Sequence, residues 1–432
     1  MQPLFGQERC FRVLFQAEGC RNRAWDGSAA VKPITTKTTL LYAAGNMGAN
    51  MAYAFANFAF PLFLTAYPIS NLFVGLLAQE RSLVGSLVQP LVGALSDRLP
   101  PNRLGKRRPF FIVGVPLTAG SLLFLSAHPT LWGVVVAITA FSVFLSVAYD
   151  PYLALMPDIT PLKQRGRVGG IMAVFNTLGA LTLILISFLF WRQRQQLVFW
   201  LVALGLIISF AVTFFGVDER GLPPPSHEAS PKRSVGGYMR DILARRELLK
   251  YLACTFFFWL GNGGVTPFVT RFGVEVLGLA PNASFLLLLP ALLGAAVFAL
   301  PAGLLAERYG KKRVLGAGLF LFGAGALVGA QYVRGITDGL LLMVIIGVAN
   351  AITNALIFPL LTDVMPAARA GEMTGIGSLV ASIAQPIGAV AAGATADLTG
   401  SIRNAFTAGG VAMLVAFLLL LTMREPEKSD EQ

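Results

Sequence analysis

An all-α integral membrane protein, with twelve transmembrane helices in two six-helix bundles related by an internal repeat, is the fold class this sequence predicts. Three observations predict it. Hydrophobic residues make up 55% of the 432 positions and charged residues only 13%, with a mean hydropathy of +0.67; a soluble chain carries about 25% charge. A charged loop, GALSDRLPPNRLGKRRPF from Gly93 to Phe110, recurs about 210 residues later as GLLAERYGKKRV from Gly303 to Val314. A loop signature repeated once per half marks a duplicated bundle. Finally, 28 of the 34 lysines and arginines lie in the two tails and in the loops that follow even-numbered spans.

Windows of about 20 residues that can cross the hydrocarbon lie near 38–64, 70–96, 109–127, 131–156, 167–190, 195–217, 250–272, 283–306, 313–333, 338–362, 374–397 and 402–423. They are too long and too continuously apolar for barrel strands, and only helices or closed barrels satisfy the backbone in lipid. Basic residues stay in the cytoplasm during insertion, so both termini are expected there. The net charge of +12 therefore reads as a topology signal and not as a nucleic-acid surface.

The expected layout follows the same windows. Residues 1–37 form a cytoplasmic tail without the order of regions found in a signal peptide. Residues 38–217 form the first bundle and 250–423 the second. The stretch 218–249, rich in proline, serine and charge, is a cytoplasmic linker, and 424–432 are a cytoplasmic tail. Cys10, Cys20 and Cys254 are expected as free thiols on the reducing side. His128 and His227 fall in loops, and no metal site, cofactor site or catalytic grouping can be assembled.

The charged loops are expected to form a gate, the alternative being that they only fix insertion topology through their positive charge. Asp97 and Arg98 close span 2, while Lys106, Arg107 and Arg108 open span 3. Gly105 supplies the turn, because only glycine enters left-handed backbone regions freely. In the second half Glu307 and Arg308 take the first role and Lys311, Lys312 and Arg313 the second. A further pair repeats 205 residues apart: Asp158 and Asp363, each three residues before a proline at the end of spans 4 and 10. Gly93 is expected to let span 2 approach span 11. Asp97 then sits at the positive N-terminal end of span 11 as a latch, with Arg107 and Arg108 pairing with it or with nearby carbonyls.

Polar side chains recur at helical spacing on a few spans. Asn46, Asn50, Tyr53 and Asn57 on span 1 fall within about 60° of one another. Ser142, Ser146, Tyr149 and Asp150 form a stripe on span 4. Span 7 carries Thr255, Trp259, Asn262, Thr266 and Thr270; span 10 carries Asn350, Thr353 and Asn354; span 11 carries Ser378, Ser382 and Gln385. Such stripes are helix contacts or the wall of a wet cleft, and three asparagines on one face need partners or water. Substrate contact is expected at Asn46, Asn50, Tyr53, Asn57, Tyr149, Trp259, Asn262, Thr266, Asn350, Asn354 and Gln385. Ionisable groups within the spans are Glu80, Arg81 and Asp150. Glu80 and Arg81 point about 100° apart and are expected to pair with neighbouring helices.

The pattern of Gly, three residues, Asp-Arg, then Gly and basic residues resembles the loop between helices 2 and 3 of the major facilitator superfamily. Its spaced form, SDR…LGKRRPF, is similar to the proton-coupled sucrose symporters and the glycoside-pentoside-hexuronide transporters. Ala154, Leu155 and Asp158 resemble the family's A-L-x-x-D, and Arg167 and Val168 its R-V. FFFWLGNGGVTPFVTRFG resembles the Trp-containing helix 7. The resemblance implies alternating access through spans 1, 4, 7 and 10, and a part for Asp158 and Arg167 in sugar transport and proton coupling, with Asp150 the competing carrier. Span 1 has no acid, unlike sodium-coupled glycoside carriers.

The expectation is a secondary transporter, monomeric in the bilayer, that moves a sugar or glycoside with a proton. Efflux of a small amphiphile and a non-transporting solute sensor are the alternatives. A sensor usually needs a larger cytosolic output region than these short tails and linker provide.

Overall fold

The computed structural model describes residues 34–98, 105–218, 245–364 and 370–423. Most of the expected linker and both tails lie outside them, and the seventh helix starts at Arg246, inside the stretch expected as linker. Twelve helices stand where twelve spans were expected. They are α1 (36–64), α2 (Asn71–Arg98), α3 (Arg108–Ser126), α4 (Leu131–Ile159), α5 (Arg165–Phe190), α6 (Gln195–Gly216), α7 (Arg246–Glu275), α8 (Ala283–Tyr309), α9 (Lys311–Tyr332), α10 (Ile336–Val364), α11 (Ala370–Thr399) and α12 (Arg403–Leu421). The ten from α3 onward are long and apolar enough to cross a membrane by composition alone. In α1 and α2, asparagines and the Gln79-Glu80-Arg81 triplet lower the hydropathy.

Helices α1–α6 pack on one another, as do α7–α12, and α2 meets α11 between the two sets. The halves repeat each other in detail. Tyr42 Oη donates to Tyr152 O and Tyr251 Oη to Ile357 O, both at 2.8 Å; the acceptors are 205 residues apart. Gly179 on α5 faces the Met47 carbonyl of α1, and Gly388 on α11 faces the Leu260 carbonyl of α7, each where a Cβ would collide with backbone. Lipid offers helices no hydrophobic reason to associate, so close approach at small residues supplies the packing.

The first helix of each half also loses regular geometry at matching positions. In α1 a π-turn runs Phe55–Ala59 just before Pro61, and in α7 a 3-10 turn runs Thr266–Phe268 around Pro267. Proline lacks the N–H that continues the ladder, and the backbone adjusts around it. Gly105 has φ +103° and Gly310 φ +91°, so both charged loops turn on a glycine for the expected steric reason.

With twelve spans both chain ends emerge on one face, called here the terminal end. The hydrogen bonds crossing between halves among the described residues lie at the opposite end or at mid-height. Asn71 N and Leu72 N each donate to Asp397 at 2.9 Å, and Asn71 Nδ2 at 2.7 Å. Thr270 Oγ1 donates to Phe58 O, Asn282 Nδ2 to Phe188 O, and Ser82 Oγ to Gln385 Oε1. Toward the terminal end Leu87 and Leu91 of α2 are exposed, and a Cβ at Gly93, Gly303 or Gly375 would meet nothing. The side chains at the start of α11 near Thr374, which Gly93 was expected to approach, lie outside the described residues. The two helices touch at Gly75 and Gly393, near the other end.

Candidate functional site

The α1 stripe does lie together with that of α4, but as a bonded cluster. Asn46 is buried, donates through Nδ2 to Met172 O at 2.8 Å, and accepts from Asn50 Nδ2 and the Tyr149 hydroxyl, both at 3.0 Å. Its oxygen accepts twice and one of its two N–H groups is donated, so the amide ties α1 to α4 and α5. Tyr53 packs edge-on to Tyr149, with ring centroids 4.9 Å apart, and the Arg81 guanidinium lies 4.2 Å from the Tyr53 ring centroid. Arg81 therefore joins the α1–α4 cluster, as its expected pairing with a neighbouring helix allows. Asp150 has one carboxylate oxygen buried without a partner. Asn57 is half-buried in the π-turn.

The second half supplies the facing cluster. Asn262 Nδ2 donates to Asn350 Oδ1 at 3.3 Å, Thr266 Oγ1 to Asn262 Oδ1 at 3.2 Å, and Asn354 Nδ2 to Asn350 Oδ1 at 2.6 Å. Trp259 keeps its indole N–H buried and unpartnered. Gln385 is bound to Ser82 of α2 and stands at the seam between halves.

A cavity of about 170 Å³ lies beside the second-half cluster, walled by Ala54 and Phe58 of α1, Ala180 of α5, and Asn262, Thr266 and Asn350 of the second half, whereas the α1–α4 cluster and Trp259 do not line it. It is smaller than the roughly 300–1,000 Å³ of ligand clefts. Its polar groups are amides and a hydroxyl without net charge, which suits neutral hydrogen-bonding solutes with an apolar side.

The gate residues sort differently. Arg107 is buried and pairs through Nε with Asp158 Oδ2 at 2.7 Å. Arg167 does not hold Asp158 as expected; it donates to Thr36 Oγ1 at 2.8 Å. Arg107 leads into α3 and points inward beside the end of α4, whereas Arg167 lies on an exposed face of α5. Arg108 lies over the Phe214 ring, Arg308 over that of Tyr309, and Glu307 is exposed. The side chains of Asp97, Arg98 and Asp363 lie outside the described residues, and so does the expected latch. Reading the sequence missed Asp397, whose carboxylate caps the first turn of α2. The signal was an acid at the end of one span facing the start of another.

Comparisons with known proteins agree with this architecture. An uncharacterised MFS-type transporter of Methanocaldococcus jannaschii is 24% identical over 299 residues, 68% of this chain and 71% of that one. The general alpha-glucoside permease of Schizosaccharomyces pombe is 31% identical over 173 residues, which is 34% of this chain and 31% of the permease. Among solved structures, a bacterial homologue of the human lysosomal transporter Spinster, inward-facing and occupied, superposes with a TM-score of 0.70 at 16% identity, covering 89% of this chain and 95% of that one. The sequence model of the Major Facilitator Superfamily matches residues 42–297 and again 281–432. With both halves matched and the twelve-helix architecture in place, the chain belongs to the Major Facilitator Superfamily of membrane transporters.

Proposed function

We propose that this transporter carries a sugar or glycoside together with a proton, by alternating access, across the cell membrane with both termini cytoplasmic. One observation carries the reading: a cavity at the junction of the two halves sets the uncharged amides of Asn262 and Asn350 against the apolar Ala54, Phe58 and Ala180 of the first half. Asn262 and Asn350 can pair with sugar hydroxyls, and Phe58 suits a sugar's apolar face. The alpha-glucoside permease, similar over about a third of the chain, supports the same class. With basic loops on the cytoplasmic side, the terminal end is cytoplasmic in this reading and the Asn71–Asp397 seam closes the outer side. The coupled proton sits on a carboxyl of the first half, where Glu80, Asp150 and Asp158 lie. In this reading 38–217 and 250–423 rock as two bodies about the cavity.

A second reading, efflux of a small amphiphile, draws on the mostly apolar cavity walls, Ala54, Ile184 and Leu292 among them. Uptake into sealed vesicles separates the two. Sucrose, maltose and methyl α-glucoside are each offered with and without an imposed pH gradient, acid on the entry side. Accumulation that collapses with the gradient is expected. Extrusion of a lipophilic dye, with no sugar uptake or exchange, is the outcome that replaces the sugar reading. Orientation is checked by cysteines at Ala229, expected to react from the cytoplasm, and at Ala280, expected to react from outside.

A further inference from the structure

Glu80 lies a third of the way along α2 from the sealed end. Both of its carboxylate oxygens are shut away from solvent and make no hydrogen bond. Arg81 follows it in sequence but turns to the Tyr53 ring, and no ion pair of Glu80 occurs among the described residues. Thr139 of α4 lies beside it and gives its hydroxyl proton to Val135 O. An ionised carboxylate without cation or donor is not sustained in such an interior, so the group holds a proton.

The other acids are placed differently. Asp158 is paired with Arg107, Glu275 with Arg271, and Asp397 receives two backbone N–H groups and an amide. Around α2, the titratable side chains described include Lys37, Tyr42 and Tyr53 on α1, Tyr149, Asp150, Tyr152 and Asp158 on α4, Tyr251, Cys254, Arg271 and Glu275 on α7, and Asp397 on α11. Of these Asp150 alone has an unpartnered buried carboxylate oxygen, and it lies three turns beyond Thr139 along α4.

Glu80 also borders the moving seam. Gln79, its neighbour, and Gln385 of α11 both accept from the Ser82 hydroxyl, at 3.5 and 3.0 Å. From there to the sealed end Gly75 packs on the Ala389 carbonyl and Gly393 on that of Asn71, and Asp397 closes the top. Opening this end to admit a solute separates α2 from α11 along the stretch that carries Glu80, and closing it shuts the group away again.

We propose that Glu80 is the carrier of the coupled proton, loaded from water on the sealed side when the α2–α11 seam opens and held in the state described here. The proton passes to water at the terminal end after the solute leaves. The proposal rests on the proton-coupled reading above and names the residue responsible.

Two measurements test it. Infrared spectra of the purified full-length protein should show a protonated-carboxyl carbonyl band that is lost in Glu80→Gln and kept in Asp158→Asn; a band unchanged in Glu80→Gln overturns the proposal. In proteoliposomes, sucrose and methyl α-glucoside should accumulate down an imposed proton gradient with wild type and only equilibrate with Glu80→Gln, while counterflow persists. Glu80→Asp, which keeps the carboxyl, should restore part of the accumulation. Full accumulation in Glu80→Gln, or loss of counterflow together with accumulation in a monodisperse protein, overturns it. Should wild type accumulate neither sugar, the sugar–proton reading fails, and the infrared band alone decides whether Glu80 is protonated.

Discussion

Arg107 Nε lies 2.7 Å from Asp158 Oδ2, joining the start of α3 to the end of α4 across 51 residues of chain. The arginine side chain is 7% exposed and the aspartate 34%, so the pair is only partly screened by water. Asp158→Asn should lower stability by roughly 1.5–3 kcal/mol, the range for losing a hydrogen bond to a charged group. Arg167→Gln, at an exposed site, should change it by no more than about 0.5 kcal/mol. Thermal unfolding in detergent reads both. Equal losses would show that Arg167 is a partner of Asp158 in the populated state.

What the sequence disclosed, and what it hid, follows from distance along the chain. The α1 stripe was legible because Asn46, Asn50, Tyr53 and Asn57 repeat at helical spacing, and Gly105 because a loop between two spans needs a turn. The repeat was legible as charge, yet Tyr42 and Tyr251, which bond alike in the two halves, are ordinary aromatics in an apolar run. Asp158 was expected to meet Arg167, nine residues on, and meets Arg107 instead. Asp397 caps a helix 326 residues away, a relation no local pattern encodes. Asn46 looked like a ligand contact because spacing shows a face but not that Met172 and Tyr149 already occupy it.

The seal at the far end should yield to one substitution. Asp397→Ala removes the cap on α2, worth about 1 kcal/mol, which shifts a two-state population about fivefold. Cysteine accessibility at Thr395 should rise from that side. Asp397→Asn, which keeps a side-chain acceptor, should show the smaller effect. An unaltered accessibility in Asp397→Ala means the cap does not hold the seal.

Asn262→Ala and Asn350→Ala should weaken sugar binding about tenfold each, near the upper end of the usual value of one hydrogen bond, with little change in unfolding temperature. Asn46→Ala should do the reverse in order, destabilising the protein by about 1–3 kcal/mol because it strands buried partners. Calorimetric binding of methyl α-glucoside, set beside thermal unfolding, distinguishes them. Loss of binding in Asn46→Ala without loss of stability would return that residue to the ligand.

Gly179→Ala and Gly388→Ala place a methyl against backbone carbonyls of the facing helices and should each cost about 1–3 kcal/mol, as overpacking does. Gly93→Ala meets nothing in the present state and should leave unfolding unchanged. If α2 and α11 close on Gly93 when the terminal end shuts, the same variant should slow transport. Unimpaired transport rates in Gly93→Ala would remove the expected approach at that end.

The central claim is that the two halves exchange a seal at one end for a seal at the other around a shared site. Spin-label pairs at Ser70 and Leu398, beside the closed seam, and at Lys163 and Arg308, across the terminal end, measure both gaps in one preparation. On adding methyl α-glucoside, or in Asp397→Ala, the first distance should lengthen in the same fraction of molecules in which the second shortens. Two distances that stay fixed, or that change in the same direction, would contradict the account.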